Sequence, residues 1–146
     1  MLLRIVIDTN VLVSAILKRG SPPDALLRHW LAGDFLLVTC PAALAELADV
    51  LNRPKIRDRY RLTDEDVTEF LRRFQLQAES VPGTSVSGVV TADPKDDMFL
   101  ACAVEGQARY VVSGDRHLLS LRHYGRIRIV TVTHFLRVLE RLKRWQ

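Results

Sequence analysis

The β-branched run over residues 3–7 ends at Ile5-Val6-Ile7, stops abruptly at Asp8-Thr9-Asn10 and gives way to a helical pattern over 10–17. A short continuous apolar run of this kind reads as a strand buried on both faces. The same alternation recurs along the chain. Ser21-Pro22-Pro23-Asp24 reads as a capping box with proline in the first turn, opening a helix with Leu26, Leu27, Trp30 and Leu31 on one face that ends near Gly33. A second strand is expected over 35–39. Pro41 then opens a helix to about Leu51, stopped by Asn52-Arg53-Pro54. Thr63-Asp64-Glu65-Asp66 is another helix start, followed by Val67, Phe70, Leu71 and Phe74 at helical spacing. Residues 78–92 carry the weakest pattern, with Val81 in a short strand and 83–88 in a loop. A helix over 96–105 is ended by Gly106, and strands follow at 110–113 and 127–130. The last helix presents Phe135, Leu136, Val138, Leu139 and Leu142. Strands alternating with helices imply βαβ units, hence an α/β chain: a three-layer α/β/α sandwich with a mostly parallel central sheet and right-handed crossovers. Such sheets bind ligands outside the carboxyl ends of their strands, where the strand order reverses.

The chain has 146 residues, which is the size of one domain, 1–146, and a domain of this size buries roughly 68–70% of its unfolded surface. It needs no disulfides to hold a core. Cys40 and Cys102 lie in apolar segments and read as small buried hydrophobes of a reducing compartment. The apolar start is interrupted by Asp8 and Asn10 too early for a signal peptide. No window approaches the ~20 apolar residues needed to span a bilayer. The expected location is cytoplasmic, without membrane attachment. A net charge of +4 suits a polyanionic partner without proving one.

Acids stand where the fold rule directs attention. Asp8 follows the first strand, Asp115 follows Val111-Val112-Ser113-Gly114, and Asp96 and Asp97 open a helix. Taken singly, Asp8 or Asp115 is an ordinary helix cap. Glu46 is the informative member, because it neighbours Ala42, Ala43 and Val50 on its helix, apart from the Leu44, Leu47 and Leu51 stripe. A partly exposed surface acid is the plainer reading of it. If these carboxylates converge, they raise each other's pKa and need a cation. Oxygen ligands alone favour Mg²⁺ or Mn²⁺, and such a site beside a basic surface points to phosphodiester hydrolysis.

Four segments in order resemble the PIN-domain family, more narrowly the VapC-like toxins of toxin–antitoxin systems. They are Ile5-Val6-Ile7-Asp8-Thr9-Asn10-Val11-Leu12-Val13-Ser14, Glu46-Leu47-Ala48-Asp49-Val50-Leu51-Asn52-Arg53-Pro54-Lys55, Asp93-Pro94-Lys95-Asp96-Asp97-Met98-Phe99-Leu100 with Ala103, and Tyr110-Val111-Val112-Ser113-Gly114-Asp115-Arg116-His117-Leu118-Leu119. The tail from Ile129 to Leu136 also fits, so the likeness covers nearly the whole chain. It implies a Mg²⁺- or Mn²⁺-dependent ribonuclease that is the toxin of a pair, a separate antitoxin chain and a homodimer. It also implies that Asp8, Glu46, Asp96 and Asp115 are the catalytic metal ligands. Thr9 or Asn10 would orient Asp8 or a water, and Ser113 matches the small hydroxyl residue before the last acid. Asp96 is preferred to Asp97 because Phe99, Leu100 and Ala103 then fall at i+3, i+4 and i+7. Asp97 is the supporting residue, and Asp93 turns or caps. His117 departs from the acid common at its position.

Arg53, Lys55, Arg57, Arg59 and Arg61 alternate across an expected irregular connector. They are either solvated charges or, for Arg53, Lys55 and Arg57, contacts to RNA phosphates. Arg122, Arg126 and Arg128 with His123 and Tyr124 form a second basic region, either a plain surface hairpin or a place to stack single-stranded RNA. Trp30 fits core or dimer packing, while Trp145 frays or meets a partner. Two other functions compete with the nuclease: a catalytically silent PIN-like module that binds RNA or a partner, and a Mg²⁺-binding receiver domain. The receiver would need an acid pair after the first strand and a lysine where Ser113-Gly114 stands.

Overall fold

The computed structural model describes residues 2–90 and 94–144. The readings of Asp93 and Trp145 therefore lie outside the described residues. Strands β1 (Arg4–Ile7), β2 (Leu36–Thr39), β3 (Glu79–Ser80), β4 (Tyr110–Val112), β5 (His123–Tyr124) and β6 (Ile127–Val130) form one sheet in the order β3-β2-β1-β4-β6-β5. All neighbouring pairs are parallel except β5 with β6. Helices α1 (Thr9–Leu17), α2 (Pro22–Leu31), α3 (Pro41–Asn52), α4 (Pro54–Tyr60), α5 (Asp64–Gln77), α6 (Asp97–Glu105), α7 (Arg116–Leu119) and α8 (Val132–Arg144) connect them.

Alternation along the strands divides the core. Ile5, Ile7, Val112 and Val130 meet α1, α2, α5 and α8 on one face, through residues such as Val11, Leu26, Phe74 and Phe135. Val6, Val38, Val111 and Ile129 meet Phe99, Leu100 and Ala103 of α6 and Leu118 of α7 on the other. Successive side chains of a strand point to opposite faces, so a run such as Ile5-Val6-Ile7 feeds both cores at once. The mixed α/β architecture with a largely parallel sheet agrees with the sequence reading. Trp30 belongs to the core, stacked on Phe74 with ring centroids 5.0 Å apart. Cys40 and Cys102 are buried, reduced and in thiol contact.

The helix starts follow their sequence signals. Thr63 and Asp66 close a reciprocal capping box at 3.0 Å in each direction. At α2 the box is incomplete: Ser21 caps Asp24 N–H at 3.3 Å, while the Asp24 carboxylate turns back to Gly20 N–H at 2.8 Å. The connector over 52–62 is not irregular. Pro54 opens α4 instead of merely ending α3, since proline at the first helical position lacks only an N–H that has no helical partner there.

The chain leaves β1 toward β2 and β3, then returns across it to β4 and β6. The order therefore reverses between β1 and β4, which pair with Ile7 opposite Val112. The next residues out of these strands, Asp8 and Ser113, begin side by side at the switch point. Among the described residues, no helix is long and apolar enough to cross a membrane.

Candidate active site

Asp8 leaves the end of β1 as the N-cap of α1, with its own N–H bonded to Val112 O at 3.0 Å. Its side chain is buried. One carboxylate oxygen accepts Val11 N–H at 2.9 Å, and the other accepts the Ser113 hydroxyl. Gly114 N–H also bonds to it. Burial pushes the Asp8 carboxyl above the usual carboxylate range; the hydrogen bonds from Ser113, Val11 and Gly114 oppose that shift, and the charge of Asp115 adds to it. The capping role and the site role thus coincide in one residue.

Ser113 is fully buried and links two of the acids. Its hydroxyl donates to Asp8, and its oxygen accepts Asp115 N–H at 2.9 Å. Asp115 is itself an N-cap, its carboxylate accepting His117 N–H at 2.7 Å. Asp96 completes the group from the 3₁₀ turn Pro94–Asp96 that leads into α6. The Asp96 and Asp115 carboxyls are hydrogen-bonded to each other. That bond is the largest influence holding Asp115 below the usual carboxylate range, with the His117 N–H and charge and the Leu118 N–H helping.

Asp97 is equally buried but faces another task. Its two oxygens accept Gly88 N–H at 2.9 Å and Val90 N–H at 2.8 Å. It holds the 83–90 loop onto the start of α6, and that is the support it supplies. Glu105 grips the other end of the same loop, accepting Gly83, Thr84 and Ser85 N–H at 2.8, 3.0 and 3.1 Å and the Ser85 hydroxyl at 2.8 Å. Sequence reasoning passed over Glu105. The available signal was an acid in the last turn of a helix, where the helix dipole disfavours it unless other donors compensate.

Glu46 is half-buried on α3, with Leu47 and Leu51 directed to the core. It lines a cleft of about 670 Å³ with Ala42 and Asp49 of its own helix and with Gly88, Lys95 and Asp97 opposite. The structure thus gathers Asp8, Asp96, Asp115 and Ser113 at the switch point and sets Glu46 in the cleft walled by the strapped loop. Thr9 is buried and Asn10 exposed, and the hydrogen bonds that fix Asp8 come from Val11, Ser113 and Gly114.

The basic strip is partly consumed internally. Arg57 bonds to Asn52 Oδ1 at 2.6 Å and Leu62 O at 3.3 Å, and pairs with Asp64 at 2.8 Å, tying α3, α4 and α5 together. Arg53 pairs with Asp49 at 3.4 Å across one helical turn, while Lys55 is exposed.

Two carboxyls in hydrogen-bond contact require either a shared proton or a cation between them. The donor chemistry of Asp96 and Asp115 therefore fits a hard cation. Among the described residues no three His, Cys, Asp or Glu side chains stand close enough to form a complete cage. That fits an ion held by one or two carboxylates and several waters, as Mg²⁺ usually is.

This chain is 29% identical over 121 residues to the uncharacterized protein MJ1680 of Methanocaldococcus jannaschii, spanning 82% of this chain and 76% of that protein. Its backbone is similar to that of VapBC2 from Rickettsia felis, solved bound to a DNA fragment of its promoter (TM-score 0.58, 15% identity, 88% of this chain and 98% of that one). VapC20 of Mycobacterium tuberculosis, described as a sarcin-ricin loop cleaving toxin, superposes with TM-score 0.54 at 14% identity over 85% and 98% of the two chains. FitAcB from Neisseria gonorrhoeae gives 0.50 at 15% identity over 89% and 99%. At such identities these likenesses speak to the fold. Residues 4–117 match the family described as the PIN domain, and the chain belongs to that family.

Proposed function

We propose that the protein is a Mg²⁺- or Mn²⁺-dependent endoribonuclease, with Asp8, Asp96 and Asp115 as its metal-holding acids, two of them directly and the third through water, and Glu46 as the acid facing the substrate cleft. The observation that carries this reading is the convergence of Asp8, Ser113, Asp115 and Asp96 at the β1/β4 switch point. The toxin relatives among the solved structures support it, as does membership of the PIN-domain family. By the same likeness, the protein is the toxin of a pair with a separate antitoxin, and it works as a homodimer on RNA in the cytoplasm.

When bound, a divalent ion would activate water and stabilise the leaving oxygen of the phosphodiester. The chain's own contribution is to hold the acids still. Three donors orient the buried Asp8 carboxylate, so it does not rotate away when a cation or phosphate approaches. Ser113 fixes the separation of Asp8 and Asp115 from a fully buried position. Asp97 and Glu105 hold the 83–90 loop against α6, which gives the cleft beside Glu46 a defined wall. Ser113 supports the first acid and Lys55 offers a phosphate contact, whereas Arg57 serves the fold first.

The test is incubation of the purified chain with mixed RNA in Mn²⁺ or Mg²⁺, beside EDTA and beside an Asp8→Asn variant purified identically. Metal-dependent cleavage that the variant loses is the expected result. Equal behaviour of wild type and variant would favour the silent binding module.

A further inference from the structure

A second cleft lies at the opposite end of the sheet, where the strands begin. It encloses about 810 Å³ over an apolar floor that includes Leu3, Val104 and Ile127. Arg4, Arg109, Arg126 and Arg128 stand around it with Tyr124, and among the described residues no carboxylate lines it. Arg4 is committed, pairing with Glu79 and donating to Gly106 O at 2.6 Å. The other three arginines are exposed, and among the described residues they form no ion pair. Unopposed guanidinium groups at one cleft repel one another and attract a polyanion.

The fold arranges them. Arg4, Arg109 and Arg128 stand at the starts of β1, β4 and β6, where Arg109 N–H bonds to Arg4 O at 3.0 Å and Arg128 N–H to Arg109 O at 2.8 Å. Neighbouring strands are about 4.8 Å apart, so Arg4 and Arg109 stand side by side on one face of the sheet, while Arg128, level with Tyr110, stands on the other, and the cleft takes them together at the strand starts. The β5–β6 hairpin adds the remaining wall. Its two-residue turn places Gly125 at φ +59°, the left-handed conformation a tight hairpin demands there, and this sets Tyr124 beside Arg126 at the cleft. A half-buried tyrosine next to unpaired guanidinium groups is the combination that seats a nucleotide chain, with the base on the ring and the phosphates on the arginines.

We propose that this strand-start cleft is an RNA-anchoring site, holding a single-stranded segment of the substrate away from the point of cleavage. The acids stand at the other ends of the same strands, so the segment held here is not the one cut. The proposal rests on the ribonuclease reading only for the identity of the polyanion. It predicts that short RNAs lacking the anchored segment bind more weakly than long ones.

Fluorescence anisotropy in EDTA reads binding without cleavage, so it is informative whether or not the protein proves to be a nuclease. The probe is a labelled single-stranded RNA of roughly 12 nucleotides, and AMP is the competitor. Arg126→Glu/Arg128→Glu should raise Kd about tenfold or more and flatten the slope of log K against log salt by about 1.4, the value for two lost single-strand phosphate contacts. Tyr124→Ala should raise Kd about fivefold or more, read well below the variant's own Tm because the ring also packs against the core. Arg72→Glu, on an α5 position outside the cleft, should leave Kd within about twofold at the same ionic strength. If the cleft variants bind as wild type does, or weaken no more than Arg72→Glu, the proposal fails. It also fails if AMP displaces the probe with the affinity of the RNA itself, since the cleft would then be a mononucleotide pocket.

Discussion

Ser113 shows how much one buried hydroxyl decides. It donates to Asp8 and accepts from Asp115 N–H with no exposure to water. Ser113→Ala leaves one buried carboxylate oxygen and one N–H without their partner, a loss of about 1–3 kcal/mol. A drop of about 2–12 °C in Tm should follow at this chain length, together with a fall in kcat larger than any rise in KM. A melting temperature and rate equal to wild type would contradict the account. Gly83 is a second such position. Its φ is +73°, and a Cβ there would stand 2.6 Å from Cys40 Cβ and 2.7 Å from Cys40 Sγ. Gly83→Ala should therefore lower Tm measurably and loosen the wall of the Glu46 cleft. At this scale the placement of Asp8, Ser113 and Asp115 at the strand ends was legible, because Asp8 and Ser113 follow directly on a β-branched run that had to be a buried strand and Asp115 comes two residues later. The spacing of Phe99, Leu100 and Ala103 separated Asp96 from Asp97 as site acid and supporting residue, but what Asp97 supports was not legible. The two are adjacent and both buried, and what sets the task of Asp97 is the position of the Gly88 and Val90 amides, which sequence spacing does not encode. Arg57 was misjudged for a related reason, since its partners Asn52 and Asp64 come from the ends of two different helices.

Elements with strong local signals were readable, and those without were missed. The Thr63–Asp66 box announced α5, and Thr63→Ala should cost about 0.5–2 kcal/mol, read as a lower denaturation midpoint at unchanged slope. Helix α4 went unrecognised because it buries no side chain and carries alternating charges, so no apolar stripe marks it. Helix α7 has four residues and β5 two, too few for any period to show. The strap on α6 has a pH signature. Hydrogen bonds from the 83–85 amides hold the Glu105 carboxyl below its ordinary value of 4.5. A depressed folded pKa means stability that is present above the ordinary value and lost as pH falls through the folded one. Wild type should therefore melt above Glu105→Gln at neutral pH, and the gap should close on acidification through that window. A gap that stays constant down to the acid limit would show that Glu105 acts through something other than its charge.

Over the whole molecule, the alternation of strand and helix foretold a mostly parallel sheet, and the rule of the switch point foretold which end carries the acids. Strand order itself was not legible, because short apolar runs do not state their neighbours. Nor was the meeting of Arg4, Arg109 and Arg128, which are far apart in the chain and become adjacent only through β1, β4 and β6. The receiver alternative fails at this scale, as the residues match the PIN domain and the sheet ends in an antiparallel hairpin. The central claim is that the acids of the switch point form one cation site, and Mn²⁺ titration followed by thermal melting tests it most directly. At about 100 times its Kd, an ion bound only by the folded state adds about 2.7 kcal/mol, or about 5–10 °C at this size. The account predicts that shift in the wild type and its loss in Asp96→Asn/Asp115→Asn. An equal shift in both proteins, or none in the wild type, would contradict it.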